Sequence, residues 1–288
     1  MALLDGLARI QRLLNLEIQV AHVNHGLRAN SVDDARFVSS YVETLGVRCH
    51  VIALPPKPAG ENLERWAREQ RYRVFARIVS EQSLDWVVTA HTANDVAETF
   101  LMRLVANKEL NSIDEVDEVR RCLRPLLDVS RDQIDEHVKR HGIPFVEDPS
   151  NADTSFTRNR IRHELLPFLG EKFDPSIVWI LAERARSVDA DCEALRRNAQ
   201  AIASRVGEVR CADAAWLEGC RRELVAVSPA VRWRGVQGLF APIFGLTVGQ
   251  SRAEALLGLL CGEARSLTFE DGVVVSVDEN GVEVRGAG

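Results

Sequence analysis

The chain has 288 residues and a net charge of −6, with 46% hydrophobic and 27% charged residues, as expected for a globular protein. Its apolar runs fall short of the roughly 18 residues that a membrane-spanning helix needs, and its start lacks the pattern of a secretory signal. The six cysteines are scattered without a CxxC pair, which predicts reduced thiols in the cytoplasm and disfavours a disulfide framework or zinc knuckle.

The first half of the chain alternates predicted helices with predicted strands. Apolar residues recur at helical spacing in 1–15, 31–45, 62–82, 94–105 and 130–141. Short apolar runs predict strands at 17–23, 48–54, 85–91 and 123–127. This alternation predicts an α/β fold with a parallel sheet and helices on both faces.

In the second half, predicted helices follow one another without strands between them. This change predicts a domain boundary near residues 170–175. Its predicted helices are 176–206, 212–226, 229–240 and 250–261. The end alternates apolar and polar residues around Asn280-Gly281, which predicts a β-hairpin. We therefore expect a smaller, mostly helical domain that ends in this hairpin.

Two predicted strands end in unusually polar segments. In open parallel sheets, ligands bind beyond the carboxyl ends of the strands. The polar residues at the two ends are His22, Asn24, His25 and Arg28 in AHVNHGLR, and His91, Asn94, Asp95 and Glu98 in TAHTANDVAET. The sequence therefore predicts a ligand site at this edge, with a phosphate near the helix start at Asn94.

Asp95 and Glu98 are three residues apart, so they share one face of a predicted helix. Two carboxylates there could hold an amine or a magnesium ion. They could equally be favourable charges in a first helical turn. A similar choice applies to Arg68 on the helix 62–82, where a solvated face and a phosphate contact both fit.

The segment EDPSNADTSFTRNRIRHELLP, residues 147–167, joins an acidic, turn-rich half to three arginines. Asp153 or Thr154 is predicted to cap a helix that runs to about residue 166. Arg158 and Arg162 would share one face, while Arg160 would lie nearer the core side, beside Asn159. The predicted buried stripe of this helix is Ile161, Leu165 and Phe168.

This segment resembles a signature of the tRNA(Ile)-lysidine synthases. The stretches AHVNHGLR, ENLERWAREQRY, TAHTANDVAET and RPLLDVSR resemble that family too, in the same order, over about residues 1–170. The resemblance implies an ATP-pyrophosphatase-type fold, like that of the adenine nucleotide alpha-hydrolases. It also implies three regions: a nucleotide-binding domain at 1–148, a connector helix at 149–175 and a helical domain for tRNA at 176–288.

The resemblance implies an ATP-dependent ligase of tRNA modification. Such an enzyme adenylates the C2 oxygen of the wobble cytidine in an isoleucine tRNA with a CAU anticodon. Free L-lysine then attacks through its side-chain amine and releases AMP. The implied cofactors are ATP and Mg²⁺, and the implied partners are this tRNA and lysine, without a membrane.

The resemblance also implies roles for individual residues. The predicted catalytic residues are His91, Asp95 and Glu98. The predicted nucleotide-binding residues are His22, His25, Arg28, Arg68, Asn94 and Arg103. The predicted tRNA-binding residues, which would face substrate phosphates, are Arg158, Asn159, Arg160 and Arg162. We expect no metal site made by the protein alone.

Two segments depart from the family pattern. The Gly-rich phosphate loop SGGxDS is absent, as is the central strand expected between the strands at 17–23 and 85–91. The segment 104–121 lacks the glycine-containing turn of the family, which puts the role of Arg103 in doubt. We therefore expect little or no ligase activity from the chain as written.

Other functions stay open at this point. A related tRNA-thiolating enzyme is disfavoured because such enzymes generally use paired cysteines. A non-catalytic tRNA-binding remnant of the same family is favoured by the absent loop and disfavoured by the intact stretch from His91 to Glu98. The sequence also leaves open whether the protein forms a homodimer. Candidate tRNA contacts in the second domain are Arg196, Arg197, Arg221, Arg222, Arg232 and Arg234.

Overall fold

The computed structural model describes residues 1–24, 31–108, 110–146, 153–206, 213–244, 248–269 and 272–286. The chain divides into two compact units, Met1–Arg186 and Ser187–Gly288. The predictions divide the chain by role at 148 and 175, and that division stays a prediction. The first unit extends past 175 because Ala182 and Ala185 pack against Val96.

The first unit follows the predicted alternation of helices and strands. Its helices are α1 (Ala2–Ile10), α2 (Ser31–Thr44), α3 (Leu63–Glu81), α4 (Ala93–Val105), α5 (Arg131–His141), α6 (Thr157–Arg160) and α7 (Leu166–Lys172), followed by the start of α8 (Ile177–Val206). Its strands are β1 (Gln19–Asn24), β2 (Arg48–Ala53), β3 (Val87–Val88), β4 (Val116–Asp117) and β5 (Cys122–Leu123). The predicted fold class, a parallel α/β sheet followed by a mostly helical part, is confirmed.

The strands of the first unit form two sheets. β1 and β2 pair in parallel over their whole lengths. β3 and β5 pair in parallel, and β4 joins β5 antiparallel, an addition that the sequence did not reveal. In the described ranges β1 and β3, the strands predicted to flank a missing one, do not pair with each other.

Residues 157–172 form one continuous helical run, which we call the arginine helix. It consists of α6, a π-helical turn at Ile161–Leu165, and α7. The predicted stripe is wrong at Phe168, whose surface is 52% exposed, whereas Leu166 is buried with Ile161. The π-helical turn explains the difference, because its wider repeat moves the next buried position from i+4 to i+5.

Helix α4 is buried on two faces, and this burial positions the site. Val96 and Phe100 pack against Ala182 of α8. Ala97 and Leu101 pack against residues of the arginine helix. Glu98 follows Ala97 directly on this helix, so its side chain is held in the interior of the first unit.

The second unit contains the rest of α8 together with α9 (Ala214–Val225), α10 (Pro229–Phe244) and α11 (Gln250–Leu260). The predicted hairpin is confirmed as β7 (Val274–Asp278) and β8 (Gly281–Arg285), and β6 (Ser266–Thr268) adds a third antiparallel strand. One apolar cluster joins these elements and includes Phe240, Leu256 and Val275. None of the helices described in either unit is long and apolar enough to cross a membrane.

Candidate active site

A capping box fixes the first turn of α4 at the carboxyl end of β3. The Thr92 backbone N–H donates to Oδ2 of Asp95 at 2.8 Å, and the Thr92 hydroxyl contacts the same oxygen at 3.1 Å. One carboxylate oxygen of Asp95 therefore stabilises the helix start. Oδ1 of Asn94 accepts a hydrogen bond from the backbone N–H of Arg131 at 2.8 Å, which ties α4 to α5.

Four charged side chains from two distant segments meet between α4 and the arginine helix. Arg158 donates from Nε to Oε2 of Glu98 at 2.7 Å, and from Nη2 to Oδ1 of Asp95 at 2.8 Å. Arg162 donates to both oxygens of Glu98, at 2.6 and 2.9 Å. We call Asp95, Glu98, Arg158 and Arg162 the charge network. It confirms the prediction that the two arginines share a helix face.

The charge network has a buried side and an exposed side. The Glu98 side chain is fully buried, whereas the side chains of Arg158 and Arg162 are 33% and 34% exposed. A buried carboxylate is tolerated only when it is paired with a cation and hydrogen-bonded. The guanidinium groups of Arg158 and Arg162 provide both the positive charge and the hydrogen bonds for Glu98. The hydrogen bond to Glu98 also raises the pKa of Arg162.

His91 lies between β3 and α4, beside this network. Its Nδ1 is 2.9 Å from the Thr89 hydroxyl. Burial lowers the pKa of His91 to about 4; the nearby Asp95 opposes this shift, and Arg124, Arg158 and Arg68 add to it. The imidazole is therefore neutral at pH 7.

Comparisons with known proteins agree on one family. A family model described as a PP-loop domain matches residues 1–169. The tRNA(Ile)-lysidine synthase of Nostoc sp. is 30% identical over 304 residues, which cover 98% of this chain and 88% of that protein. This chain belongs to the tRNA(Ile)-lysidine synthase family. Membership of this enzyme family confirms the resemblance that the sequence motifs indicate.

Other relatives are longer than this member of the family. The tRNA(Ile)-lysidine synthase of Clostridioides difficile is 29% identical over 89% of this chain, which spans 57% of that protein. The corresponding enzyme of Pseudothermotoga lettingae is 38% identical over 59% of this chain, which spans 39% of that protein. The chain thus covers most of the Nostoc protein but about half or less of these two.

A solved structure supports the fold. The U34-tRNA thiolase NcsA from Methanococcus maripaludis, solved with its [4Fe-4S] cluster, aligns with a TM-score of 0.50 and 13% sequence identity. The alignment covers 59% of this chain and 62% of that one. At such low identity the likeness shows the shared PP-loop fold alone.

Other predicted site residues of this lysidine synthase family member lie around the network or apart from it. The prediction that Arg160 lies nearer the core is wrong, since Arg160 is exposed and contacts the Thr157 hydroxyl at 3.3 Å. Asn159 is the buried member of that pair, and its side chain donates to the Asp153 carbonyl at 2.8 Å.

The predicted nucleotide-binding residues are spread over several elements. His22 is half-buried in β1, and burial lowers its pKa while Asp34 opposes the shift. Arg68 lies over the Tyr72 ring, with 5.2 Å between the guanidinium carbon and the ring centroid. Arg103 lies in the last turn of α4. His25 and Arg28 lie outside the described residues.

The sequence analysis missed Arg124 as a site residue. Arg124 directly follows β5, is 4% exposed, and donates to the carbonyl of Asp114 at 2.5 Å and to Asp117 at 3.4 Å. It also contributes to the lowered pKa of His91. The signal that could have found it is its place at the carboxyl end of a parallel strand, the same edge that carries His91.

Proposed function

We propose that this chain ligates L-lysine to C2 of the wobble cytidine of tRNA(Ile) with a CAU anticodon, at the expense of ATP. The single observation that carries the proposal is the match to the Nostoc tRNA(Ile)-lysidine synthase over 98% of the chain. The charge network and His91 support it, because they bring carboxylates, guanidinium groups and a neutral imidazole together at one sheet edge. We propose a cytoplasmic reaction, since the proposed substrates, tRNA, ATP and free lysine, occur together there.

The proposed reaction has two steps. The C2 oxygen of cytidine attacks the α-phosphorus of ATP, so that an adenylated tRNA forms and pyrophosphate leaves. The side-chain amine of lysine then attacks C2, AMP departs with the former C2 oxygen, and the amine loses its proton. Adenylation is needed because the cytidine oxygen is otherwise a poor leaving group.

We assign the lysine side chain to the acidic part of the site. Asp95 and Glu98 would hold its ammonium group, since paired carboxylates provide the charge that an ammonium ion needs. His91 would face the reacting groups as a neutral hydrogen-bonding partner, because its lowered pKa keeps it unprotonated at pH 7.

We assign the phosphates to the basic part of the site. Arg158, Asn159, Arg160 and Arg162 would face phosphates of the tRNA, and planar guanidinium groups suit that task. The proposed nucleotide contacts are His22, His25, Arg28, Arg68, Asn94 and Arg103. Cations near the departing pyrophosphate would stabilise the charge that develops on it.

Mg²⁺ is proposed to arrive with the phosphates of ATP. In the described part of the chain, no group of three or more His, Cys, Asp or Glu side chains is placed to hold a metal ion. The carboxylates of Asp95 and Glu98 are paired with arginines. Mg²⁺ commonly keeps water ligands and binds through substrate phosphates. The described residues therefore do not form a metal cage.

A direct test incubates the 288-residue chain with a tRNA(Ile) transcript bearing CAU, ATP, Mg²⁺ and L-lysine. We expect AMP release at a low rate, in line with the impairment that the sequence predicts. After nuclease digestion we expect a nucleoside in which the side-chain nitrogen of lysine replaces the C2 oxygen of cytidine. A transcript with uridine at the wobble position is the matched control and should stay unmodified. Exchange of oxygen for sulfur, or an unchanged cytidine despite AMP release, would contradict the proposal.

A non-catalytic tRNA-binding remnant is the alternative that the same experiment separates. Such a protein would bind the transcript but would release no AMP, and ATP would not raise its unfolding temperature. The Nostoc enzyme, assayed in parallel, provides the reference rate. A rate far below that reference would support the impaired activity that the sequence analysis predicts.

A further inference from the structure

The charge network is electrically balanced and closed on itself. Its two carboxylates face two guanidinium groups, and each oxygen of Glu98 already accepts a hydrogen bond. Oδ1 of Asp95 accepts from Arg158, and its Oδ2 accepts from Thr92. The carboxylates proposed to receive the lysine ammonium are therefore occupied by cations of the chain itself.

A lysine that entered alone would meet an unfavourable charge balance. Three cations would then face two carboxylates in a partly buried site, and at least one guanidinium group would lose its partner. Removing one partner from a buried ion pair is strongly unfavourable. The network therefore resists the ammonium ion as long as Arg158 and Arg162 have no other anion to bind.

A phosphate group can relieve this competition from the exposed side. Both arginine side chains are about one third exposed, whereas Glu98 is fully buried. An anion from solvent can thus reach the guanidinium groups without displacing Glu98 first. Phosphate matches the planar guanidinium group as well as carboxylate does, so an arginine can exchange one for the other at little loss.

We propose that the charge network is a self-occupied lysine site, which opens when a phosphate group draws Arg158 and Arg162 off Asp95 and Glu98. This inference rests on the proposed function and specifies how that site is regulated. Phosphate and lysine bind as a pair: the anion takes the arginines, and the ammonium ion takes the carboxylates. Lysine alone binds weakly, so the amine is held at the site only when a phosphate-bearing substrate is present.

The experiment is a calorimetric titration of L-lysine into the full chain under four conditions. The chain is used alone, with inorganic pyrophosphate, with a non-hydrolysable ATP analogue, or with the tRNA transcript. We expect at least one phosphate ligand to tighten lysine binding by about 10-fold, within the usual range of coupling between sites. The condition that produces the increase identifies the source of the phosphate. Norleucine, which lacks the side-chain amine but keeps the α-amine and the carboxylate, is the control ligand and should show no such increase.

Reciprocity and two variants sharpen the test. The same phosphate ligand must bind about 10-fold tighter when lysine is saturating, because coupling is mutual. Arg158→Gln should strengthen lysine binding in the absence of phosphate and reduce the coupling. Lys172→Gln is the matched control, since Lys172 lies on the arginine helix, is exposed and pairs with Glu171 outside the charge network. The control should keep the weak binding of lysine alone.

The possible outcomes distinguish failure of the coupling from failure of the proposed ligase function. Lysine binding of equal strength in all four conditions would overturn the coupling and leave the ligase proposal standing. Absence of lysine binding in every condition, together with absence of lysidine, would overturn both. The four titrations of the unsubstituted chain decide the matter even where Arg158→Gln fails to fold.

Discussion

In the first unit two half-buried arginines bind a buried carboxylate, whereas in the second unit two half-buried arginines bind backbone carbonyls. In the first unit, Arg158 and Arg162 reach carboxylates 60 and 64 residues away in sequence. In the second unit, Arg221 donates to the Leu260 carbonyl at 2.5 Å, and Arg232 donates to the Val227 carbonyl at 3.0 Å. Arginines at helix ends commonly satisfy free carbonyls in this way. An arginine-rich segment therefore indicates a function only once the partners of its arginines are known.

The apolar cores of the two units differ in size. The second unit has one large cluster that connects its helices to its sheet, with Phe240 and Leu256 at its centre. The first unit has two smaller clusters on either side of α4. Glu98, which is fully buried, lies on α4 among residues of both clusters. If the proposed function holds, we expect the lysine site to depend on the first unit, and the second unit to contribute its apolar core to stability.

The largest expected effect comes from Glu98→Gln in the first unit. This change leaves two guanidinium groups without their buried carboxylate, so we expect a loss of about 3–5 kcal/mol in the free energy of unfolding. Lysidine formation should fall below detection. Urea denaturation and the ligase assay measure the two effects. Glu164→Gln, at an exposed position of the arginine helix, is the control and should change stability by less than about 0.5 kcal/mol. Equal stability of the two variants would show that Glu98 does not hold the two arginines together.

Leu256→Ala should lower stability strongly without weakening lysine binding. Leu256 is fully buried in the second unit, and its truncation should lower the free energy of unfolding by about 2–5 kcal/mol. Lysine binding at temperatures below the transition should persist, because the charge network lies in the first unit. Val225→Ala, at a 62% exposed position, is the control. Loss of lysine binding in folded Leu256→Ala protein would show that the proposed division of labour is wrong.

An effect of intermediate size concerns pH. All seven histidines lie before residue 187, so a pH dependence due to histidine belongs to the first unit. The pKa of His91 is lowered from 6.5 to about 4 by burial. Between those pH values the unfolded chain gains a proton that the folded chain refuses, so stability falls as pH falls through this range. This loss of stability is absent above pH 6.5 and complete below about pH 4. His91→Asn should flatten the pH dependence of the urea midpoint, and a slope identical to that of the unsubstituted chain would contradict this.

The smallest effect is expected from Arg197→Gln in the second unit. Arg197 lies 3.5 Å from Glu193 on the surface of α8, and its side chain is 71% exposed. Exposed ion pairs contribute little, so stability should change by no more than about 0.5 kcal/mol. A thermal unfolding scan measures this effect. Filter binding of the tRNA transcript at two salt concentrations then shows whether Arg197 contacts RNA, as the sequence analysis predicts for this group of arginines.

Local signals in the sequence predicted much of the fold. Ser130 and Gln133 form the predicted capping box of α5, with hydrogen bonds of 2.9 and 3.2 Å between their side chains and backbone N–H groups. Asn280-Gly281 lies at the predicted turn before β8. These features succeed because caps and turns depend on residues a few positions apart. Strands β4 and β6, with two and three residues, are too short to produce a periodic pattern.

Long-range pairing explains most of what the sequence could not reveal about the site. The motif analysis brought together Asp95, Glu98, Arg158 and Arg162 as site residues, but it assigned the arginines to substrate and not to the carboxylates. Which charges pair depends on how α4 packs against the arginine helix, and no local pattern encodes that. No local pattern in the sequence predicts the π-helical turn either. Because of this turn, Leu166 is buried in place of the predicted Phe168.

A double-mutant cycle between Glu98 and Arg162 tests most directly whether the two segments form one network. The free energy of unfolding is measured by urea denaturation for the unsubstituted chain, Glu98→Gln, Arg162→Gln and the double variant. The contacts at 2.6 and 2.9 Å predict that the double variant loses less stability than the sum of the single losses, by about 1–3 kcal/mol. Additive losses, within about 0.5 kcal/mol, would contradict the account.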